Sequence, residues 1–76
     1  MTSQHFAPTP ITGVAALTTR ERVVLAHLSE DITLQDIAER LWVTRNTVKS
    51  QLRSAYRKMG VSTRADAVAW ARAHGI

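Results

Sequence analysis

The chain has 76 residues, enough for one small domain and too few for a two-domain enzyme, since domains run to about 50–250 residues. It is 45% hydrophobic and 21% charged with no cysteine, which excludes disulfides, thiolate metal sites and cysteine nucleophiles. Ten Lys and Arg against six Asp and Glu leave a net charge of +4, a balance that favours polyanionic partners.

Residues 1–16 hold both prolines, Pro8 and Pro10, among Thr, Ser, Gln and small residues, with no charge and no period. They read as a flexible leader or linker, and residues 17–76 as the folded domain. From Leu17 onward the spacing T-x-x-[DE] occurs three times, at Thr18 to Glu21, Thr33 to Asp36 and Thr63 to Asp66. Each predicts a capping box: the threonine hydroxyl accepts an orphan N–H of the first turn, and the acid three residues on reaches back to the cap. Thr44 marks a fourth start, with Thr47 in place of an acid, so no negative charge sits at that helix entrance.

Four helices follow. The first is expected over Thr19 to Ser29, with Leu17, Val24, Leu25 and Leu28 as its apolar set and Glu30-Asp31 ending it. The second, Leu34 to Leu41, carries Leu34, Ile37, Ala38 and Leu41 on one face. The third, Arg45 to Met59, turns Val48, Leu52, Ala55 and Met59 inward with Tyr56 beside them, and Gly60 supplies a left-handed end from which Val61 folds back. The fourth, Arg64 to His74, ends likewise at Gly75, with Ala65, Val68, Ala69 and Trp70 as its apolar side. No segment alternates as a strand does, so the fold class is all-α.

A two-turn helix, a short connection and a longer basic helix form the layout of a helix-turn-helix, whose second helix enters the DNA major groove. Charge is distributed accordingly. Residues 1–43 carry three basic and five acidic side chains, whereas residues 44–64 carry six basic ones and no acid. At 100° per residue, Asn46, Lys49, Ser50, Arg53 and Arg57 share about a third of the third helix's circumference, opposite its apolar stripe. Lys and Arg reach guanine N7 and O6 or phosphates, Asn pairs with adenine, and Ser serves either way. Thr44, Arg45 and Thr47 sit at the helix start, where unpaired N–H groups and the dipole attract phosphate. A solvated helix face would mix signs into i,i+4 pairs, as Asp36 and Arg40 can on the second helix, and this one does not.

The runs Leu17-Thr18-Thr19-Arg20-Glu21-Arg22, Asp36-Ile37-Ala38-Glu39-Arg40-Leu41, Asn46-Thr47-Val48-Lys49-Ser50-Gln51-Leu52 and Arg57-Lys58-Met59-Gly60-Val61 resemble the LuxR-type (GerE-like) DNA-binding domain, in order over residues 17–76. The resemblance implies a four-helix domain of a bacterial transcription regulator that binds double-stranded DNA as a homodimer, through its third helix, with the fourth forming the dimer contact. It implies that Lys49, Ser50 and Arg53 face bases or the groove floor and that Thr47 and Gln35 face phosphates; RNA polymerase is a further candidate partner. Ala65, Val68, Ala69 and Arg72 are the candidate dimer residues. The chain departs from the family pattern at Asp31, Leu34 and Gln51, where Gly, Asn and His are common. The run Tyr56 to Val61 with Ala67-Val68 looks most like the domains that end large MalT-like ATPase regulators.

Among single residues, Trp42 reads as a packing plug in the tight turn and Trp70 as core or dimer face. His5, His27 and His74 are too scattered for a metal, and His74 suits a helix C-terminus; no cofactor is expected. No Gly-rich phosphate loop, paired carboxylates or nucleophile with a convergent base suggests an enzyme. Two rival readings are a sigma-factor region 4-like promoter module, which has little use for a helix after Gly60, and a protein-binding adaptor that docks an acidic partner. The longest uncharged apolar stretch, Gly13 to Leu17, is far below the roughly 20 residues that cross a bilayer, and the start lacks a basic n-region. The expected location is therefore the cytoplasm, with no membrane partner. The chain is read either as the C-terminal effector domain of a longer regulator or as a stand-alone one.

Overall fold

The computed structural model describes residues 13–76; most of the segment read as a leader, residues 1–12, lies outside them. A turn of 3-10 helix, Gly13–Ala16, precedes four α-helices: α1 (Thr19–His27), α2 (Leu34–Leu41), α3 (Arg45–Met59) and α4 (Arg64–Ala73). The described residues contain no strand. The third helix is the hub, packed against α1, α2, α4 and the 3-10 turn.

All four helix starts are set by threonine. Thr18 and Thr33 form complete capping boxes with Glu21 and Asp36. At Thr44 and Thr63 only the hydroxyl half forms, accepting the Thr47 and Asp66 N–H groups at 3.1 Å. For Thr63 this departs from the expected box. Its φ of −122°, against −73° and −85° at the two complete boxes, turns the cap N–H away from the short aspartate.

Helix ends follow one pattern in three cases. After α2, α3 and α4 a residue in the left-handed region closes the last turn, and the next N–H reaches back to a carbonyl five residues earlier: Val43 to Ala38, Val61 to Tyr56 and Ile76 to Ala71. Gly60 and Gly75 take that conformation at φ +74° without strain. The third position is Trp42, at φ +59°, where a Cβ makes the conformation unfavourable. Its side chain is 93% exposed, so it is not the packing plug its place in the turn suggested. The apolar turn contact comes instead from half-buried Leu41 and Val43 on either side.

The first helix stops two residues before its expected end. Leu28 turns extended and buries its side chain, and the Ser29 hydroxyl accepts the Ile32 N–H at 3.2 Å, making a turn of what would have been another helical step. The Arg64 guanidinium, from the first residue of α4, donates to the Ser29 and Ile32 carbonyls and latches this loop to the far end of the chain.

The core is the expected one at nearly every position. Leu17, Val24, Leu25, Leu28, Ile37, Ala38, Val48, Leu52, Ala55 and Met59 are buried, with Leu34, Leu41 and Tyr56 at its edge. On α4 the inward face is Ala67, Val68 and Ala71, a rotation from the expected Ala65, Val68 and Ala69. Trp70 stacks on the His74 ring at 3.8 Å, and the His74 Nδ1–H donates to the Trp70 carbonyl at 2.8 Å, which fits the role expected of a histidine at this helix end.

Among the described residues, one charge lies inside. Glu21 is 5% exposed and accepts the Thr18 N–H at 2.8 Å as the reciprocal half of the α1 cap. Its two carboxylate oxygens also accept from Lys58 Nζ, at 2.9 and 3.1 Å, across 37 residues of sequence. Burial alone would push this carboxyl up. Hydrogen bonds from Lys58, the Thr18 backbone and Ser54, with the Lys58 charge, outweigh that and bring its pKa from 4.5 to about 2.

A pKa lowered by folding stabilises the ionised state, so this contribution is complete above about pH 4.5 and is lost as the pH falls toward 2. Glu21→Gln is expected to lower unfolding free energy at pH 7 by about 3 kcal/mol and to flatten the acid limb of stability against pH, read by denaturant melts from pH 2 to 7. Trp42→Gly is expected to act the other way. Relief of left-handed strain exceeds the added chain entropy and little buried surface is lost, so stability should rise by about 0.5–1 kcal/mol in the same melts.

Candidate nucleic-acid interface

Helices α2 and α3, joined by Trp42, Val43 and Thr44, place one face of α3 outward. Asn46, Lys49, Ser50, Arg53 and Arg57 are all exposed on it, while Val48, Leu52, Ala55 and Met59 are buried opposite. The reason is the helical period: an apolar residue every three or four positions leaves the polar ones between them a single solvent-facing arc.

The six cations of residues 44–64 divide into two groups. Lys58 is held by Glu21, and Arg64 is committed to two carbonyls, so both serve the fold. Arg45, Lys49, Arg53 and Arg57 are exposed and make no ion pair among the described residues. Four positive charges within one helix, unneutralised and facing water, create a local field that favours a polyanion. The split could be seen in the sequence, since Lys58 falls about 100° off Arg57 around the helix; its partner could not.

The start of α3 lies at the surface, with Thr44, Arg45 and Asn46 exposed. Its first turn holds no acid. Thr44 caps it, and the Thr44 and Thr47 hydroxyls are hydrogen-bonded to each other at 2.9 Å, with Thr47 half-buried and Thr44 exposed. Both hydroxyls therefore fix the helix entrance, and exposed Arg45 and Asn46 are the side chains that project from it. Gln35 is exposed at the start of α2, where its amide donates to Glu39 at 3.1 Å.

The candidate dimer residues separate. Val68 is 6% exposed and belongs to the domain's own core, so it is not available to a second subunit. Ala65, Ala69 and Arg72 are exposed on the outer side of α4. Among the described residues no cluster of His, Asp and Glu could hold a metal, and no helix is long and apolar enough to cross a membrane.

A basic, acid-free helix face behind a two-turn helix and a tight turn defines the class: a helix-turn-helix DNA-binding domain. Comparison with known proteins agrees. Residues 15–71 match the model of the bacterial regulatory proteins of the luxR family, and the chain belongs to that family. It is 52% identical over 54 residues to the probable transcriptional regulatory protein SgaR of Hyphomicrobium methylovorum, covering 71% of this chain and 26% of that protein. Identity to the CsgBAC operon transcriptional regulatory protein of Escherichia coli is 38% over 60 residues, or 79% of this chain and 28% of the relative. Against the transcriptional regulatory protein ComA of Bacillus subtilis it is 31% over 78 aligned residues, taking in the whole chain and 36% of the relative. The chain thus spans about a quarter to a third of the length of these relatives, each of which is named as a transcriptional regulatory protein.

The two groups of cations should separate in stability measurements. Lys58→Ala is expected to lower unfolding free energy by about 2–4 kcal/mol, because it leaves the Glu21 carboxylate buried without its counter-charge. Arg57→Ala, on the exposed face, should stay within about 0.5 kcal/mol of the parent in the same denaturant titration.

Proposed function

We propose that this domain binds double-stranded DNA with sequence preference, laying the outer face of α3 in the major groove. The observation that carries the reading is the row of exposed, unpaired Arg45, Lys49, Arg53 and Arg57 on α3 beside Asn46 and Ser50. Lys49, Ser50 and Arg53 lie mid-helix, where a helix lowered into the groove comes nearest the base edges, and Asn46 adds an amide suited to adenine. Arg45, the α3 N-terminus with Thr44 and Thr47, Arg57 and Gln35 lie toward the edges of the surface and suit phosphates, which orient the domain without reading sequence.

Binding as a homodimer through the outer side of α4 completes the proposal. Exposed Ala65 and Ala69, one turn apart, allow close helix approach, and Arg72 lies on the same side. Two copies so related would offer their α3 helices to half-sites about one helical turn apart, about 34–36 Å. In the longer regulators that the relatives represent, RNA polymerase would be a further partner, and the cytoplasm is where such a domain meets DNA. The narrower likeness to MalT-like regulators gains no support from the relatives and plays no part.

Selection from a random duplex pool at near-physiological salt tests the reading. An enriched inverted repeat supports the dimer, a single half-site supports monomeric recognition, and no enrichment by folded protein overturns DNA reading in favour of a protein-binding adaptor. Within the enriched site, Arg53→Ala should relax preference at its base by about 1–3 kcal/mol. Arg45→Ala should weaken all sequences alike and reduce the salt slope by about 1.

A further inference from the structure

Between the start of α2, one flank of α3 and the start of α4 lies an open groove of about 560 Å³. Its floor is apolar: Leu34, Leu52, Tyr56 and Val61. Its rim carries Lys49, Arg53, Arg57 and Arg64, and no acidic side chain lines it. Duplex DNA accounts for part of this surface only. Phosphates and base edges satisfy the cations, but beyond a thymine methyl the major groove has no apolar body to cover half-buried Leu34, Tyr56 and Val61.

We propose that this groove binds a small amphiphilic anion, a carboxylate or phosphate monoester on an aliphatic or aromatic body, and that such a ligand competes with DNA. The volume is that of a small-molecule site, about 300–1,000 Å³, and the pairing of an apolar floor with a few polar groups at the edge is the usual composition of one. The acid-free cationic rim sets the sign of the ligand's head group. Arg64 is rigid there because the Ser29 and Ile32 carbonyls hold its guanidinium, whereas exposed Arg53 and Arg57 can close over an anion. Burial holds the Tyr56 phenol above its ordinary pKa, with the Arg64 charge only partly offsetting it, so at neutral pH it remains an O–H donor facing the same space. Competition follows from shared residues, since Lys49, Arg53 and Arg57 belong to both surfaces. The competition rests on the DNA-binding reading above; the binding does not.

Sodium decanoate below its micellar concentration is the probe, titrated into the 76-residue chain and followed by backbone amide chemical shifts. The expected result is saturable shifts confined to the groove around Leu34, Leu52, Tyr56 and Val61, at about 0.1–1 mM for a ligand of this size. Leu34→Glu, which adds an acid where the helix dipole favours one, should weaken binding at least tenfold, and its thermal melt reports whether it folds. Arg57→Gln, a milder change on an exposed residue, should weaken it severalfold and covers the case in which Leu34→Glu does not fold. Equal shifts from decanol or decyltrimethylammonium, shifts spread across the domain, or binding only to phosphatidylglycerol vesicles would each overturn the proposal, as would no saturation. DNA competition is read separately by fluorescence anisotropy of a labelled duplex. If the chain binds no duplex yet binds decanoate, the DNA reading fails and the anion site stands; if decanoate binds and duplex affinity is unchanged, the shared-surface claim falls.

Discussion

The carboxylate of Glu21 is the point on which the arrangement of helices depends. It completes the cap of α1 through the Thr18 N–H and grips Lys58 near the end of α3, so one side chain both starts one helix and orients another. A buried carboxylate without partners would be expensive, and one partner alone would not repay its desolvation. With the ammonium, the cap N–H and the Ser54 hydroxyl around it, the charged form is preferred so strongly that the carboxyl titrates near pH 2. The pair adds geometric specification to an apolar core that could otherwise let α3 slide or rotate against α1.

Rotation of α3 matters because its surface is divided into sectors with separate duties. One sector packs the core, one meets Glu21 through Lys58, and one holds the exposed cations. Turning the helix by a single residue, 100°, would bury an arginine and expose the apolar stripe. The Glu21–Lys58 pair fixes this hub against α1, the Arg64 latch ties α4 to the loop after α1, and their spent charges leave four cations pointing to solvent. The positive face is a remainder: it consists of the cations that the fold has not used.

Trp42 runs against the local rules that the rest of the chain obeys. Three helices close with the same reach-back hydrogen bond, two through glycine and one through an exposed tryptophan in a backbone region that disfavours it. The tertiary fold imposes that conformation because α3 must leave α2 at the angle that buries both Ile37 and Val48, and the turn has only three residues in which to do it. Position in the turn suggested burial for the ring. Left-handed geometry instead throws the Cβ outward, and the flanking Leu41 and Val43 take the inner places.

Helix number, order and starting points were legible because they are local: Thr18, Thr33, Thr44 and Thr63 announce each start within three residues, and apolar periodicity shows which side turns inward. The cationic face of α3 was legible for the same reason, as a count of degrees along one helix. The two-residue error at the end of α1 came from Leu28, which turns extended to bury its side chain, and from Ser29, whose carbonyl meets Arg64 brought in from the fourth helix. The rotation of α4 had a similar source, since Ala65, Ala67, Ala69 and Ala71 look alike by composition and only the neighbours decide which are covered. Sequence by itself thus determined the all-α class, the helix-turn-helix order and the sign and side of the cationic face, all set by interactions within a few residues. Tertiary structure alone decided that Glu21 holds Lys58, that Arg64 clasps the loop after α1, that Val68 is spent on the core and that Trp42 faces water, because each rests on groups far apart in the chain or on a helix crossing that no local pattern encodes.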